Sequence, residues 1–167
     1  MLDVRIRKTK LSDYADIKAI YEEIGLLHKE MRPDVFTVKG CLELSAKDFE
    51  EKVRTHYMLS AYVVVKDKER VVGFLEAIKR DFPFSVDSAL FISELGVREK
   101  YRKLGIGTSL MEKAEAFAKK NGLFVALDVW QSNRKALAFY EHLGYVPRTI
   151  LLEKKISDIL TNQNELE

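Results

Sequence analysis

Cysteine is almost absent from this chain. Cys41 is the one thiol in 167 residues, so no internal disulfide can form, and such usage fits a reducing compartment. Histidine is nearly as sparse. His28, His56 and His142 stand far apart, and no metal-ligand spacing emerges. Long apolar runs are missing as well. None approaches the ~18 residues that span a bilayer. The opening MLDVRIRKTK has no apolar core of a secretory signal. There is no excess of one charge either: the net charge of +2 argues for neither nucleic acid nor an acidic partner. What is present is ordinary for a soluble globular protein, with 47% hydrophobic and 32% charged residues. The length suits one domain with a sizeable core.

VRIRK (4–8) alternates and reads as a strand. A helical pattern follows through Ile17, Ile20, Tyr21, Ile24 and Leu27, with Ser12 as the expected N-cap and Gly25 as the expected break. MRPDVFTVKGC reads as a loop. Ser45 and Asp48 have the spacing of a capping box ahead of a short helix. Three strands are expected at 60–67, 70–80 and 88–97, antiparallel through turns at Lys68–Glu69 and around Pro83. A helix from Ile106 to Lys120 carries the stripe Ile106, Leu110, Met111, Ala114, Phe117 and Ala118, and Asn121–Gly122 ends it. LFVALDVW (123–130) reads as a strand buried on both faces. NRKALAFYEHLGY is a further helix, VPRTILLEKKIS a closing strand, and the rest a polar tail. The fold class is therefore α/β (α+β): a mixed, mostly antiparallel sheet with flanking helices and one parallel strand–helix–strand crossover.

Gly105 and Gly107 open the 106–120 helix directly behind Arg102 and Lys103. Bare backbone at a helix start exposes N–H groups and the positive helix end, which together bind phosphate. A P-loop is disfavoured because Gly107 is followed by Thr108 and Ser109 rather than Lys. A dinucleotide fingerprint is disfavoured because Leu110 stands where a third glycine belongs. Two glycines alone could also simply tighten a turn.

RKLGIGTSLM resembles the Arg/Gln-x-x-Gly-x-Gly/Ala signature of the GNAT acetyltransferase superfamily, with Arg102, Gly105 and Gly107 at the signature positions. NRKALAFYEHLGY resembles the second segment of the same family through Asn133, Ala136, Phe139, Tyr140, Gly144 and Tyr145. The resemblance covers the element order from residue 3 to about 156 and is weakest between 25 and 60. It implies a single domain over 1–156 with a tail at 157–167, and a sheet that splays between two central parallel strands. It also implies a soluble, cytoplasmic N-acetyltransferase. The cosubstrate would be acetyl coenzyme A, with no metal. Its pyrophosphate would lie on Arg102, Lys103, Leu104, Gly105, Ile106, Gly107 and Thr108, with Asn133 and Ala136 also at the coenzyme.

Acetyl transfer to an amine requires a held thioester, a base for the amine and an acid for the thiolate. Gly96 inside an apolar strand suggests a bulge or close backbone approach, or a glycine left at a strand end. The resemblance assigns main-chain contacts with the pantetheine to Leu95, Gly96 and Val97. It assigns the acid's role to Tyr140, which could otherwise be a core aromatic. Glu94 is the candidate base, its alternative being an exposed strand residue or ion-pair partner. Ser93 shares the position on the opposite face, Asp128 is a poorer candidate, and His28, Cys41 and His56 read as structural. The acceptor is expected to be a small-molecule or peptide amine, handled in part by residues 25–60, without nucleic acid or membrane; a homodimer is compatible. A reading from another class is a non-catalytic module that binds acyl coenzyme A as a sensor or partner subunit.

Overall fold

The computed structural model describes residues 3–82 and 87–154. Among them run β1 (Arg5–Lys8), α1 (Tyr14–Met31), α2 (Val38–Leu42), α3 (Ala46–Thr55), β2 (Tyr57–Val65), β3 (Lys68–Asp81), β4 (Ser88–Val97), α4 (Ile106–Lys120), β5 (Phe124–Leu127) and α5 (Arg134–His142). The chain divides into two compact units, Met1–Arg134 and Lys135–Glu167. The sheet belongs to the first, in the order β1-β2-β3-β4-β5. Its first four strands are antiparallel, and β4 pairs with β5 in parallel across α4. This is the mixed, mostly antiparallel α/β sheet that the sequence predicts.

The hairpin between β2 and β3 turns at Lys66 and Asp67, with φ of 48° and 60°. Two left-handed residues give a turn whose twist matches that of the flanking strands. Lys68 and Glu69, expected in the turn, open β3 instead, because Lys68 pairs with Val65. The turn expected around Pro83 and the polar tail lie outside the described residues.

Asp13 decides where α1 starts. Its carboxylate accepts two bonds from Arg7 (2.7 and 2.9 Å), one from the Lys10 N–H (2.9 Å) and one from Ser60 (2.9 Å). Burial by itself would raise this carboxyl. The Arg7, Lys10 and Ser60 bonds outweigh it and hold the group below the usual carboxylate range. The network ties the β1 end to β2 and replaces the expected Ser12 cap: a short 3-10 turn at Leu11–Asp13 leads into α1, with Asp13 as the residue before the helix. The helix then runs through Gly25 without a break. A Cβ at Gly25 would lie 2.6 Å from the Cys41 carbonyl oxygen, so this glycine serves the close crossing of α1 and α2. The latter occupies part of the expected loop, capped by Thr37, whose hydroxyl accepts from the Gly40 N–H at 3.1 Å. Ser45 caps α3 as predicted, accepting from the Asp48 N–H at 3.1 Å.

Helices cover both faces of the sheet. Ile17 and Ile20 of α1 pack with Phe49, Met58, Val71 and Phe74. Ile106, Leu110, Met111, Ala114 and Ala118 of α4 are buried, which is the predicted stripe with Phe117 only half-buried. Each fully buried aliphatic or aromatic side chain contributes roughly 1.5–3 kcal/mol. Two glycines show which helix takes which face. A Cβ at Gly73 would meet Ile106 of α4 at 3.2 Å, while one at Gly96 would meet Ile24 and Ile20 of α1 at 2.4 and 2.8 Å. Gly73 pairs with Val97 and Gly96 with the adjacent Phe74. Neighbouring strand residues point to opposite faces, so α1 and α4 lie on opposite sides.

Three expectations for the C-terminal half need correction. The expected strand at 123–130 shortens to Phe124–Leu127, and its residues are half-buried rather than buried on both faces. Among the described residues it pairs with β4 alone, so one edge has no strand to cover it. Residues 146–154 form no strand, and the remainder of the expected closing strand lies outside the described residues. The bulge expected at Gly96 lies instead at Ser93: Ala77 pairs with Ile92 and Glu76 with Glu94, leaving Ser93 as the extra residue.

Gly96 is therefore held by packing under α1. Replacing it with alanine should destabilise the protein by about 1–3 kcal/mol, lowering the melting temperature by several degrees. A thermal scan with and without coenzyme A tests this. A variant with unchanged melting temperature but lost coenzyme affinity would show that Gly96 is needed for ligand approach instead.

Candidate active site

The parallel pairing of β4 and β5 covers only Ala89–Ile92 opposite Phe124–Leu127. Beyond it β4 continues to Val97, with Leu95, Gly96 and Val97 paired to Leu75, Phe74 and Gly73 on the other side. The side of this segment that earlier faces β5 has no strand partner among the described residues. The bulge at Ser93 coincides with the end of the pairing, and a bulge adds bend and twist to its strand. This is the predicted splay. It leaves main-chain donors and acceptors of residues 93–97 along an open edge, the kind of edge that an extended, amide-bearing chain can pair with.

The turn after β4 leads into α4. Lys103 and Gly105 take left-handed backbones, with φ of 62° and 78°. Gly105 occupies the N-cap with no side-chain cap, and the first turn holds no acidic residue. The first bond of the helix runs from the Ser109 N–H to the Gly105 carbonyl. The N–H groups of Ile106, Gly107 and Thr108 thus stand ahead of the intrahelical ladder, at its positive end. Ile106 turns its side chain into the core at 3% exposure and Leu104 is exposed, so neither adds a polar side chain. Arg102 donates from Nε to the Val97 carbonyl at 2.9 Å, tying the loop to the end of the open strand. These features fit an extended ligand with phosphate at one end: the strand edge can take amide groups and the helix start can take the anion.

Glu94 lies two residues before Gly96 and so shares its face, under α1. With Tyr21, Ile24, His28, Phe36 and Cys41 it lines a cavity of about 90 Å³. Burial pushes the Glu94 carboxyl up to about 7; the neighbouring Glu76 charge adds to this and Lys52 opposes it. Glu76 is the cross-strand partner of Glu94 and is buried at 2% exposure. One of its oxygens lies 2.7 Å from both Lys52 Nζ and His56 Nδ1. Two carboxyl groups therefore sit side by side, one compensated and one not. That difference leaves Glu94 able to take or give a proton near neutral pH.

Burial also lowers His28 and raises Tyr21, the latter with added effect from the charges of Glu94, Glu76 and Cys41. His28 stacks on Phe36 at 5.3 Å, and Phe36 meets the edge of Trp130 at 5.5 Å. Arg32 lies over Trp130 at 5.0 Å and is paired with Asp34 at 2.9 Å.

Asn133 donates its N–H to the Trp130 carbonyl at 2.8 Å, in the turn just before α5. Ala136 and Tyr140 belong to the second unit. There Tyr140 makes edge contacts with Phe139 and Tyr145, with ring centres 5.1 and 5.8 Å apart. Gly144 ends this segment with φ of 88°. No described residue of α5 is fully buried.

Sequence reasoning misses the cavity wall. His28 and Cys41 read as structural residues, yet both line the space that Glu94 enters. The signal was present: Tyr21, Ile24, Gly25 and His28 share one helical face. Glu76 was equally legible as a lone carboxylate inside VVGFLEAI. Among the described residues no cluster of three or more His, Cys, Asp and Glu could hold a metal. No helix among them is long and apolar enough to cross a membrane.

Comparison with known proteins places this geometry. A probable N-acetyltransferase of Drosophila melanogaster, named san, is 41% identical over 58 residues, 34% of this chain and 32% of that protein. The chain matches about a third of the length of such curated relatives. A tetramutant of the BH1408 protein from Bacillus halodurans superposes with a TM-score of 0.80 at 23% identity, covering 91% of this chain and 99% of that one. The PaiA N-acetyltransferase of Thermoplasma acidophilum, solved in complex with coenzyme A, gives 0.64 at 18% identity over 85% and 89% of the two chains. The model of the Acetyltransferase (GNAT) family matches residues 26–145. The chain belongs to the GNAT family of acetyltransferases.

Proposed function

We propose that this protein transfers the acetyl group of acetyl coenzyme A directly to a primary amine, with Glu94 as the base. The observation that carries this reading is the half-buried Glu94, with its carboxyl raised to about 7, on a cavity beside the open edge of β4. The coenzyme supplies the acetyl thioester. Main-chain groups of Leu95, Gly96 and Val97 pair with its pantetheine arm. The N–H groups of Gly105 to Thr108 bind its pyrophosphate, with Arg102 and Lys103 adding charge. The coenzyme complex of the Thermoplasma acidophilum neighbour supports this donor.

Free alkyl amines are almost wholly protonated at neutral pH, with pKa near ~10. The Glu94 carboxylate takes one proton from the ammonium and frees the nitrogen lone pair; the neutral amine then attacks the thioester carbonyl, and its second proton passes to water as the carbon–sulfur bond breaks. On the family resemblance, the phenol of Tyr140 gives its proton to the departing sulfur. The protein then holds one proton gained and one lost, and exchange with water restores both groups.

Coenzyme A should protect the Gly105–Thr108 amides from hydrogen exchange, and unchanged exchange at saturating ligand would remove the pyrophosphate assignment. A protein that binds the coenzyme this way yet acetylates no amine would be a sensor rather than an enzyme.

The base should show itself in pH. A raised carboxyl must lose its proton before it can act, so kcat/KM should climb as pH rises through about 7. In Glu94→Gln that limb should vanish, with activity recovering only at high pH where the amine itself deprotonates. Loss that is uniform across pH would leave Glu94 with a structural role.

Tyr140→Phe removes one oxygen and keeps the ring. Coenzyme affinity should hold while kcat falls by roughly 10²-fold, the low end of a general-acid contribution. A thiolate can leave unprotonated at some cost, which is why the loss is modest. Wild-type kcat, with chemistry shown to be rate-limiting, would assign the proton to water.

A further inference from the structure

The same cavity carries information about the amine, an inference that rests on the acetyl-transfer reading of the site. At about 90 Å³ it is smaller than a ~150 Å³ cavity that takes benzene. Its walls are Tyr21, Ile24, His28, Phe36 and Cys41, and Glu94 brings the one carboxyl among its lining residues. Burial keeps His28 below its ordinary range and Tyr21 above its own, so neither brings a charge at neutral pH.

The wall is also fixed in place. Phe36 is held between His28 and Trp130, at 5.3 and 5.5 Å. Cys41 is buried at 4% exposure. Its helix lies so close to α1 that a Cβ at Gly25 would come within 2.6 Å of its carbonyl oxygen. A bulky body held within these walls would have to displace packed aromatic and helical contacts. A second ammonium held inside the cavity would lie against Ile24 and Phe36, where a charge without a partner is costly.

We propose that the acceptor is a primary amine bearing a single compact apolar substituent, its nitrogen at Glu94 and its carbon body against Tyr21, Ile24 and Phe36. Polyamines and aminoglycosides, which carry further ammonium groups, are poor acceptors. The same chemistry is offered by a free branched alkylamine and by the first residue of a peptide that begins with valine or leucine. Both present one amine next to a short apolar group.

The test is steady-state acetylation by the full chain with acetyl coenzyme A. The panel is isobutylamine, isoamylamine, putrescine, spermidine, kanamycin and tetrapeptides beginning with Val, Leu, Asp or Lys. Isobutylamine or the Val and Leu peptides should exceed putrescine, spermidine and kanamycin in kcat/KM by about tenfold or more, the scale that apolar pocket contacts provide. Peptides ahead of free amines identify a polypeptide N-terminus as the source; free amines ahead identify a small molecule. Spermidine or kanamycin as the best acceptor would overturn this proposal and leave acetyl transfer standing. If nothing is acetylated while coenzyme A still protects the α4 amides, the enzymatic reading itself falls.

Phe36→Ala should enlarge the cavity and shift preference by about tenfold toward phenethylamine over isobutylamine. Phe36→Leu, a milder change, should shift it in the same direction by less. Preference unchanged in a folded variant would remove Phe36 from the acceptor wall and overturn the assignment.

Discussion

The organisation of this protein depends on where β4 parts from β5. Parallel pairing ends at Ile92 and Leu127, while β4 continues to Val97 against β3. A strand in a closed sheet spends its main-chain groups on both neighbours. Here one side is left over. Backbone N–H and C=O groups are strong hydrogen-bonding groups, and leaving them without a partner away from water is costly. An open edge inside a fold is therefore retained where something else can pair with it. The bulge at Ser93 sits at the point of separation, and the Arg102 bond to the Val97 carbonyl joins the open strand to the turn that opens α4. The two halves of the proposed coenzyme site thus arise from one continuous stretch of chain.

The splay also sets the electrostatics. Without the extra residue at Ser93, the faces of residues 94–97 would be exchanged. Because of it, Glu94 comes opposite Glu76 and faces α1. Two carboxylates on neighbouring strands repel, and like charges directly opposite each other destabilise a sheet. Lys52 and His56 answer Glu76 from outside the strand pair, both at 2.7 Å. Glu94 has no such ion pair among the described residues, so burial and its neighbour set its proton affinity. Remote packing supports this arrangement. Gly96 lets α1 close over β4, and Gly25 lets α2 close over α1. The catalytic candidate is thereby enclosed by residues that do no chemistry themselves.

The first-unit network around Asp13 plays a different part. It fastens β1 to β2 through Arg7, Thr9 and Ser60, with the Thr9 and Ser60 hydroxyls 2.9 Å apart, and it fixes the start of α1. That start sets the phase of the helix, and the phase puts Tyr21, Ile24 and His28 along one face. A polar cluster at one end of the sheet thus helps define an apolar wall at the other end of a helix.

Several elements were determined by the sequence alone, for local reasons. The 106–120 helix follows from its apolar stripe and its glycine boundaries, and the bare main-chain N–H groups at the start of α4 follow from Gly105 and Gly107. The family is legible for the same reason: its two signatures are contiguous segments. Ser45 as a cap and the antiparallel order of β2, β3 and β4 are equally local. What tertiary structure decided was non-local. The bulge fell at Ser93 rather than Gly96 because register is set by β3, a strand the pattern of β4 cannot see. Gly96 and Gly25 turned out to be contact points between elements, not interruptions within them. The half-burial of 124–127 goes with its place at the edge of the sheet among the described residues. The cavity joined residues from α1, the 31–41 segment and β4, so no stretch of sequence held its shape. Spacing along a chain records which groups share a face; only the packed fold decides what that face meets.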